Sequence, residues 1–357
     1  MTTTELSGRK ITVERFGDST ELKQAEVTVP PAPPGHARVR VLAVGVGYTD
    51  LMARSGDYLL QRSLPFTPGY ELIGEVVDVN DDDPAVPRPG QRVAVALPKM
   101  GAYADYVVLP TWLLVPLPEG LDTRTAATLP LDYLTAVSIL ERHARVGDGD
   151  AVLIHGAGGG VGQALTRLGQ RIGLRMYGTA SAPGSEERLA QQGVTFIDYR
   201  RQDFEAVLKD REPKGIQAVF DHIGGANIGK GHRVLARGGV LVSYAFAGRP
   251  GRMVADTVRG SLHVTLLNLL PGKRAALCMV PREIKADHTW YRQTLARVLD
   301  LARRGDIPAH DGPTFPLDEA ASVHAALERR ELGGKVVLTT TYSVGRYQSD
   351  RQSRRSA

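Results

Sequence analysis

A chain of 357 residues with 42% hydrophobic and 23% charged side chains has room for roughly two domains of ~150 residues and is too apolar for wholesale disorder. Its one cysteine, Cys278, excludes an intrachain disulfide framework and any zinc site built from several cysteines, and 39 glycines against 6% aromatics lean toward an α/β fold. The net charge of +5 does not argue for nucleic acid, because much of it sits in residues 342–357, where Arg346, Arg351, Arg354 and Arg355 face only Asp350 in a stretch without apolar periodicity, a basic disordered tail.

Residues 1–10 are polar and read as no signal peptide. Up to about residue 125 the pattern is β-rich: 37–45 (ARVRVLAVG), 74–79 (GEVVDV), 91–96 (QRVAVA) and 103–109 (YADYVVL) are strand-like and separated by Pro/Gly/Asp clusters. From 126 to 268 strands and helices alternate. Residues 134–145 have helical spacing, 151–155 (AVLIH) is a buried strand, 161–172 a helix, 175–179 a strand, 185–192 a helix, 195–197 a strand, 204–210 a helix and 218–221 a strand, with 231–235 and 240–244 continuing the series. This order predicts a doubly wound parallel sheet. Residues 261–270 (SLHVTLLNLL) are unusually apolar, yet about half the ~20 residues that a membrane-spanning helix needs. They read as a wall of a substrate cleft, a dimer contact or, with Lys273 and Arg274 following, a membrane or acyl-carrier contact. Helices at 288–303 and 317–330 and a strand at 335–339 then return the chain, over 269–341, to the first domain. The expected setting is cytoplasmic and reducing.

The strongest chemical motif is AVLIHGAGGGVG, residues 151–162. A buried strand enters a glycine turn and then a helix. Ala157 takes the place of the first fingerprint glycine, followed by Gly159, Gly160 and Gly162, and the helix beginning at Val161 aims its free N–H groups at a pyrophosphate. About 20 residues further on, an acidic residue would hold the ribose 2′-hydroxyl of NAD. This chain has Gly178-Thr179-Ala180-Ser181 there, with no carboxylate. Thr179 and Ser181 suit a 2′-phosphate, Arg188, Arg200 and Arg201 are candidate counter-charges, and NADPH is the expected cofactor.

The segments GVGYTDLMARSGDY (45–58), PFTPGYELIGEV (65–76), GAYADYVV (101–108), LPLDYLTA (129–136), VLIHGAGGGVGQA (152–164) and GGKVVL (333–338), in this order, resemble the zinc-independent quinone oxidoreductases of the medium-chain dehydrogenase/reductase superfamily. DLMAR (50–54) and the long 261–270 segment are similar to the vesicle amine transport protein-1-like branch. The resemblance implies a GroES-like catalytic domain, a Rossmann cofactor domain and a homodimer. It also implies that Tyr58, in the Arg-x-Gly-x-Tyr pattern, lies near the nicotinamide, Thr135 near its amide and Tyr199 near the adenosine phosphate. Arg200, Tyr244 and Lys335 are further cofactor-binding candidates. In zinc alcohol dehydrogenases of the superfamily the metal ligands are a Cys and a His; their places here hold Gly47 and Tyr70. Neither supplies a good ligand, so no metal is expected, and Glu71 reads as structural. Gly47 also stands where many relatives carry Asn, which removes a side-chain donor.

The expected chemistry is hydride transfer from NADPH to a quinone or an activated alkene, an enone or enoyl thioester, with Tyr58 or Tyr48 donating to the substrate oxygen. Tyr48 alternatively packs as a ring, Asp50 anchors its loop, His155 and His222 serve the fold, and Cys278 is a packed thiol. Two further readings are a pathway-specific enoyl reductase or cyclase of polyketide-like metabolism, and an NADPH-binding protein with an interaction or transport role.

Overall fold

The computed structural model describes residues 4–181, 184–249, 251–310 and 312–342. They form two compact units, one from residues 1–131 and 281–357 and the other from 132–280. The basic stretch expected at the C-terminus lies outside the described residues from 343 onward. Tyr342, its expected first residue, belongs to the first unit: its hydroxyl accepts from that of Tyr106 at 3.1 Å, and Arg40 lies over its ring.

In the first unit β1 (Leu6–Val13) and β2 (Leu22–Val29) form an antiparallel hairpin. β3 (His36–Val46), β4 (Glu71–Asn80), β5 (Arg92–Ala96), β6 (Tyr106–Pro110) and β7 (Val115–Pro116) belong to a seven-stranded sheet. β3 is its hub, pairing antiparallel with β4 and β6. The alternation of Ala37, Arg38, Val39, Arg40 and Val41 gives way to Leu42, Ala43 and Val44, where the strand is buried on both faces. The short helix Tyr48–Arg54 leaves the end of β3.

The second unit is a six-stranded parallel sheet of β8 (Ala151–His155), β9 (Arg175–Ala180), β10 (Val194–Asp198), β11 (Ile216–Asp221), β12 (Leu235–Ser243) and β13 (Arg274–Leu277), in the order β10-β9-β8-β11-β12-β13. The chain winds outward from β8 to one side and from β11 to the other, so the strand order reverses between β8 and β11, the switch point at which such sheets bind ligands. Leu153, Val219 and Leu241 are fully buried in its core. Where the boundary was expected at 268/269, β13 pairs in parallel with β12 from Val240↔Arg274 to Ser243↔Leu277, and the compact unit runs on to Val280. Four residues after Pro271-Gly272 are too short a strand to be read from periodicity. The apolar run at 261–270 is chiefly the end of helix Met253–Leu267. The expected 134–145 helix begins earlier, at Pro130, and its last turn, Ser138–Ala144, is wound to i→i+5 and closed by left-handed Arg145.

The chain then returns to the first unit through helix His288–Arg303 and the strands β14 (Thr314–Pro316) and β15 (Val336–Thr339), the latter antiparallel to β3. The buried Tyr291 of that helix donates to the Leu113 carbonyl at 2.7 Å and accepts from the Ala96 N–H at 3.1 Å. No helix among the described residues is long and apolar enough to cross a membrane.

Candidate active site and dinucleotide cradle

In the parallel unit, β8 delivers the chain to Gly156 with φ +61°, a left-handed conformation natural to glycine. A Cβ on Gly156 would run into the His222 ring, and one on Gly162 into the Gly156 carbonyl, so helix Gly160–Arg171 packs directly on the turn. Ala157 is buried and donates its N–H to the Thr179 carbonyl at 3.1 Å. At Gly158 and Gly159 the space is open: an added Cβ would find its nearest neighbours at 3.9 and 3.4 Å. Backbone can approach a pyrophosphate there, and the helix starting at Gly160, with Val161 in its first turn, presents free N–H groups. The residues fit a dinucleotide.

Among the candidate adenosine-side residues, Ser181 and Tyr199 meet. Ser181 Oγ donates to Tyr199 Oη at 2.6 Å, and Tyr199 is 52% exposed. They lie just past the ends of the paired strands β9 and β10. Arg188 reaches the glycine turn, its Nη2 4.0 Å from where a Gly158 Cβ would stand, and donates to Ser185 Oγ at 3.3 Å. Arg201 pairs with Asp198 at 3.7 Å, and the Arg200 backbone N–H donates to the same carboxylate at 3.0 Å.

Thr179 is placed differently from the expectation. Its side chain is buried, 3.0 Å from His155 Nδ1, and accepts from the Gly156 N–H at 3.2 Å, so it braces the turn rather than facing a ligand. A strand residue points to one face or the other, and tertiary packing chose the inner one for Thr179. His155 is buried, and burial with His222 nearby depresses its pKa to about 3. His222, depressed to about 4 by burial, also bonds to the His155 backbone, and its Nδ1 lies 3.2 Å from the Tyr244 hydroxyl. Tyr244 follows directly on β12, at the carboxyl ends of the strands. Thr135 is buried in helix Pro130–Val137, and Cys278 is a buried thiol 3.6 Å from Ser138 Oγ.

The first unit holds the tyrosines. Tyr58 follows helix Tyr48–Arg54 and meets Tyr70 edge to face, ring centroids 6.1 Å apart. Burial, assisted by Asp50, pushes Tyr58 up to about 12 against a stabilising interaction with the Tyr70 hydroxyl, and burial pushes Tyr70 higher still. Asp50 is buried and accepts from the Gly47 N–H at 2.8 Å and the Gly69 N–H at 3.0 Å, which makes it the anchor of its loop; burial raises its carboxyl to about 6. Tyr103 Oη lies 3.5 Å from Asp50 and 3.2 Å from His324 Nε2. Tyr48 is 59% exposed, so it does not pack as a buried ring; its place at the start of the helix turns it outward.

Lys335, expected on the cofactor side, has a carboxylate partner in the first unit. Its ammonium pairs with Glu71 at 2.5 Å, and Glu71 accepts in addition from the Leu131 N–H at 2.8 Å. A buried carboxylate demands a counter-charge, and the return of β15 beside β3 supplies one that sequence distance concealed. Zinc does not fit: position 47 has no ligand atom, the Tyr70 phenol is held protonated, and Glu71 is engaged by Lys335. Two residues at these sites escaped the sequence reading, Tyr70 as a partner of Tyr58 and Asp132 beside the glycine turn; the signal for the second was its place in LPLDYLTA, which only the fold sets against Gly160.

Residues 33–119 match the alcohol dehydrogenase GroES-like domain, and 192–338 match the family described as zinc-binding dehydrogenase. The human synaptic vesicle membrane protein VAT-1 homolog is 32% identical over 340 residues, covering 92% of this chain and 86% of that protein. A rat quinone oxidoreductase is 28% identical over 320 residues, 88% of this chain and 92% of that one. The solved structure of mycobacterial Rv1454c complexed with NADPH superposes with a TM-score of 0.79 at 26% identity, covering 93% of this chain and 99% of the other. With both domains matched in order and a nicotinamide-dinucleotide cradle in the parallel unit, this chain belongs to the medium-chain dehydrogenase/reductase superfamily of oxidoreductases, in the family of the quinone oxidoreductases and VAT-1 homologs.

Proposed function

We propose that this protein is an NADPH-dependent, zinc-free reductase of quinones or activated alkenes, enones or enoyl thioesters. The observation that carries the reading is the Tyr58–Tyr70 pair, a half-buried phenol on a buried one, both held protonated, where the zinc dehydrogenases of the superfamily place a metal ligand. Bound NADPH supplies a hydride to an electron-poor carbon of the substrate. Tyr58 donates its hydroxyl to the substrate oxygen, where negative charge develops. The Tyr70 hydroxyl steadies the Tyr58 oxygen as the proton leaves, and Asp50 holds the intervening loops through Gly47 and Gly69. On the cofactor side, Ser181 and Tyr199 receive the 2′-phosphate with Arg188 as counter-charge, and the absence of a carboxylate at 178–181 favours NADPH over NADH. Stoichiometric NADPH oxidation against a panel of quinones, enones and enoyl thioesters tests the assignment. Tight NADPH binding without turnover of any class would leave a cofactor-binding protein with an interaction role.

A second reading concerns assembly. Val258, Leu262 and Leu266 recur at four-residue spacing on helix Met253–Leu267 and are exposed, as are Leu269 and Leu270, beside the open edge strand β13. We infer a homodimer through this face; sedimentation of Leu262→Glu against the parent chain tests it, and an unchanged mass would remove it.

A further inference from the structure

Asp132 is a buried acid that the mechanism leaves unused. It is 8% exposed, in the first turn of helix Pro130–Val137, and its carboxylate packs on the first residue of the dinucleotide helix: a Cβ on Gly160 would run into it. Helix Gly160–Arg171 is preceded by Gly159, which has no side chain to cap it. The open N-terminal N–H groups of a twelve-residue helix attract negative charge, and in this chain a buried carboxylate already lies beside its first residue. The same carboxylate is felt by Tyr244, whose phenol it helps to push up together with Asp221, after the larger effect of burial. A dinucleotide pyrophosphate seeks the same helix end, so two anions contend for one positive terminus.

We propose that Asp132 is an internal counter-ion for the cofactor helix that competes with the incoming pyrophosphate, weakening dinucleotide binding while stabilising the ligand-free protein. The inference rests on the reading of this turn as the dinucleotide site. It makes Asp132 a determinant of cofactor affinity, set against a glycine that must lack a Cβ for the carboxylate to approach. The physical consequence is a trade: removing the charge loses a helix-terminus interaction in the free protein and lifts a like-charge repulsion in the complex.

The test uses the full chain. Asp132→Asn keeps the shape and removes the charge, with Asp132→Ser as a second variant should the first misfold. Dissociation constants for NADPH, read by cofactor fluorescence, should tighten about 5- to 20-fold, the size expected of a helix-terminus charge. Adenosine 2′-monophosphate, which lacks the pyrophosphate, should bind as it does to the parent chain. The Tm of the ligand-free variant should fall by a few degrees. Weaker NADPH binding by the variants would mean that Asp132 accepts a hydrogen bond from the cofactor, and would overturn the proposal. Unchanged NADPH affinity would overturn it too, whatever the Tm. If the parent chain and the variants alike bind neither NADPH nor NADH, the dinucleotide reading itself fails and the proposal with it, an outcome distinct from a shift or a constancy in affinity.

Discussion

Tyr58 and Tyr70 meet with their ring planes at 82° and their centroids 6.1 Å apart, and burial drives both phenols upward, so both are held protonated. In the proposed reaction Tyr58 is the proton donor and Tyr70 its support.

Tyr58→Phe should therefore lower kcat while NADPH affinity holds. One transition-state hydrogen bond is worth roughly 1–3 kcal/mol, or about 10- to 100-fold in rate. Tyr70→Phe should give a smaller loss in the same direction, since it removes only the support. Tyr48→Phe is the control: that ring is 59% exposed, and its hydroxyl should be silent. Steady-state kinetics with the best substrate of the panel decides; an unchanged kcat for Tyr58→Phe would return the residue to a packing role.

Ser181→Asp should reverse the cofactor preference. It places a carboxylate beside Tyr199 where a 2′-phosphate would sit, and where NAD-specific sheets carry an acid for the ribose. NADPH should weaken by more than about tenfold and NADH by less, because one repelled charge costs at least about 1.4 kcal/mol in such a site. Fluorescence titration of both cofactors checks this, and an equal loss for the two would count against the assigned phosphate position.

His324 and Asp50, joined through the Tyr103 hydroxyl, should contribute oppositely to stability as pH changes. Burial depresses His324 to about 3 from 6.5, so between those values the unfolded chain takes up the proton and the folded one does not. Its contribution is present above the unfolded value and lost as pH falls through the window. Asp50 is raised to about 6 from 3.8, so its contribution is present below the unfolded value and lost as pH rises through 6. Urea midpoints measured near pH 5 and near pH 7.5 should show a shallower rise with pH for His324→Gln than for the parent, and a steeper one for Asp50→Asn. Identical slopes in all three proteins would remove both assignments.

Protein purified without chelator should carry far less than one zinc per chain, and EDTA should leave turnover intact. Gly47 has no ligand atom, and Glu71 is committed to Lys335. Stoichiometric zinc by metal analysis would overturn the reading of the tyrosine pair as a substitute for a metal site.

By itself the sequence determined the class of fold and the location of the glycine turn. AVLIH can only be a buried strand, the glycines after it leave only a close backbone turn, and the alternation that follows winds a parallel sheet; these are local signals of period and conformational freedom, and they need no knowledge of distant residues. Ser181 was legible as a candidate from its loop and Tyr199 from the family resemblance, while the contact between their hydroxyls belongs to the fold. What only tertiary structure decided was which way side chains turn and what they meet. Thr179 faces inward to His155 and Gly156, Lys335 neutralises Glu71 across more than half the chain, and Tyr48 is exposed where a packed ring was an alternative. The strand β13 was illegible because four residues carry no period, and its place is set by pairing with β12. The contact of Asp132 with Gly160 belongs to the same class: a carboxylate's energy depends on the charge and polar groups around it, and those neighbours come from segments that the chain brings together only on folding.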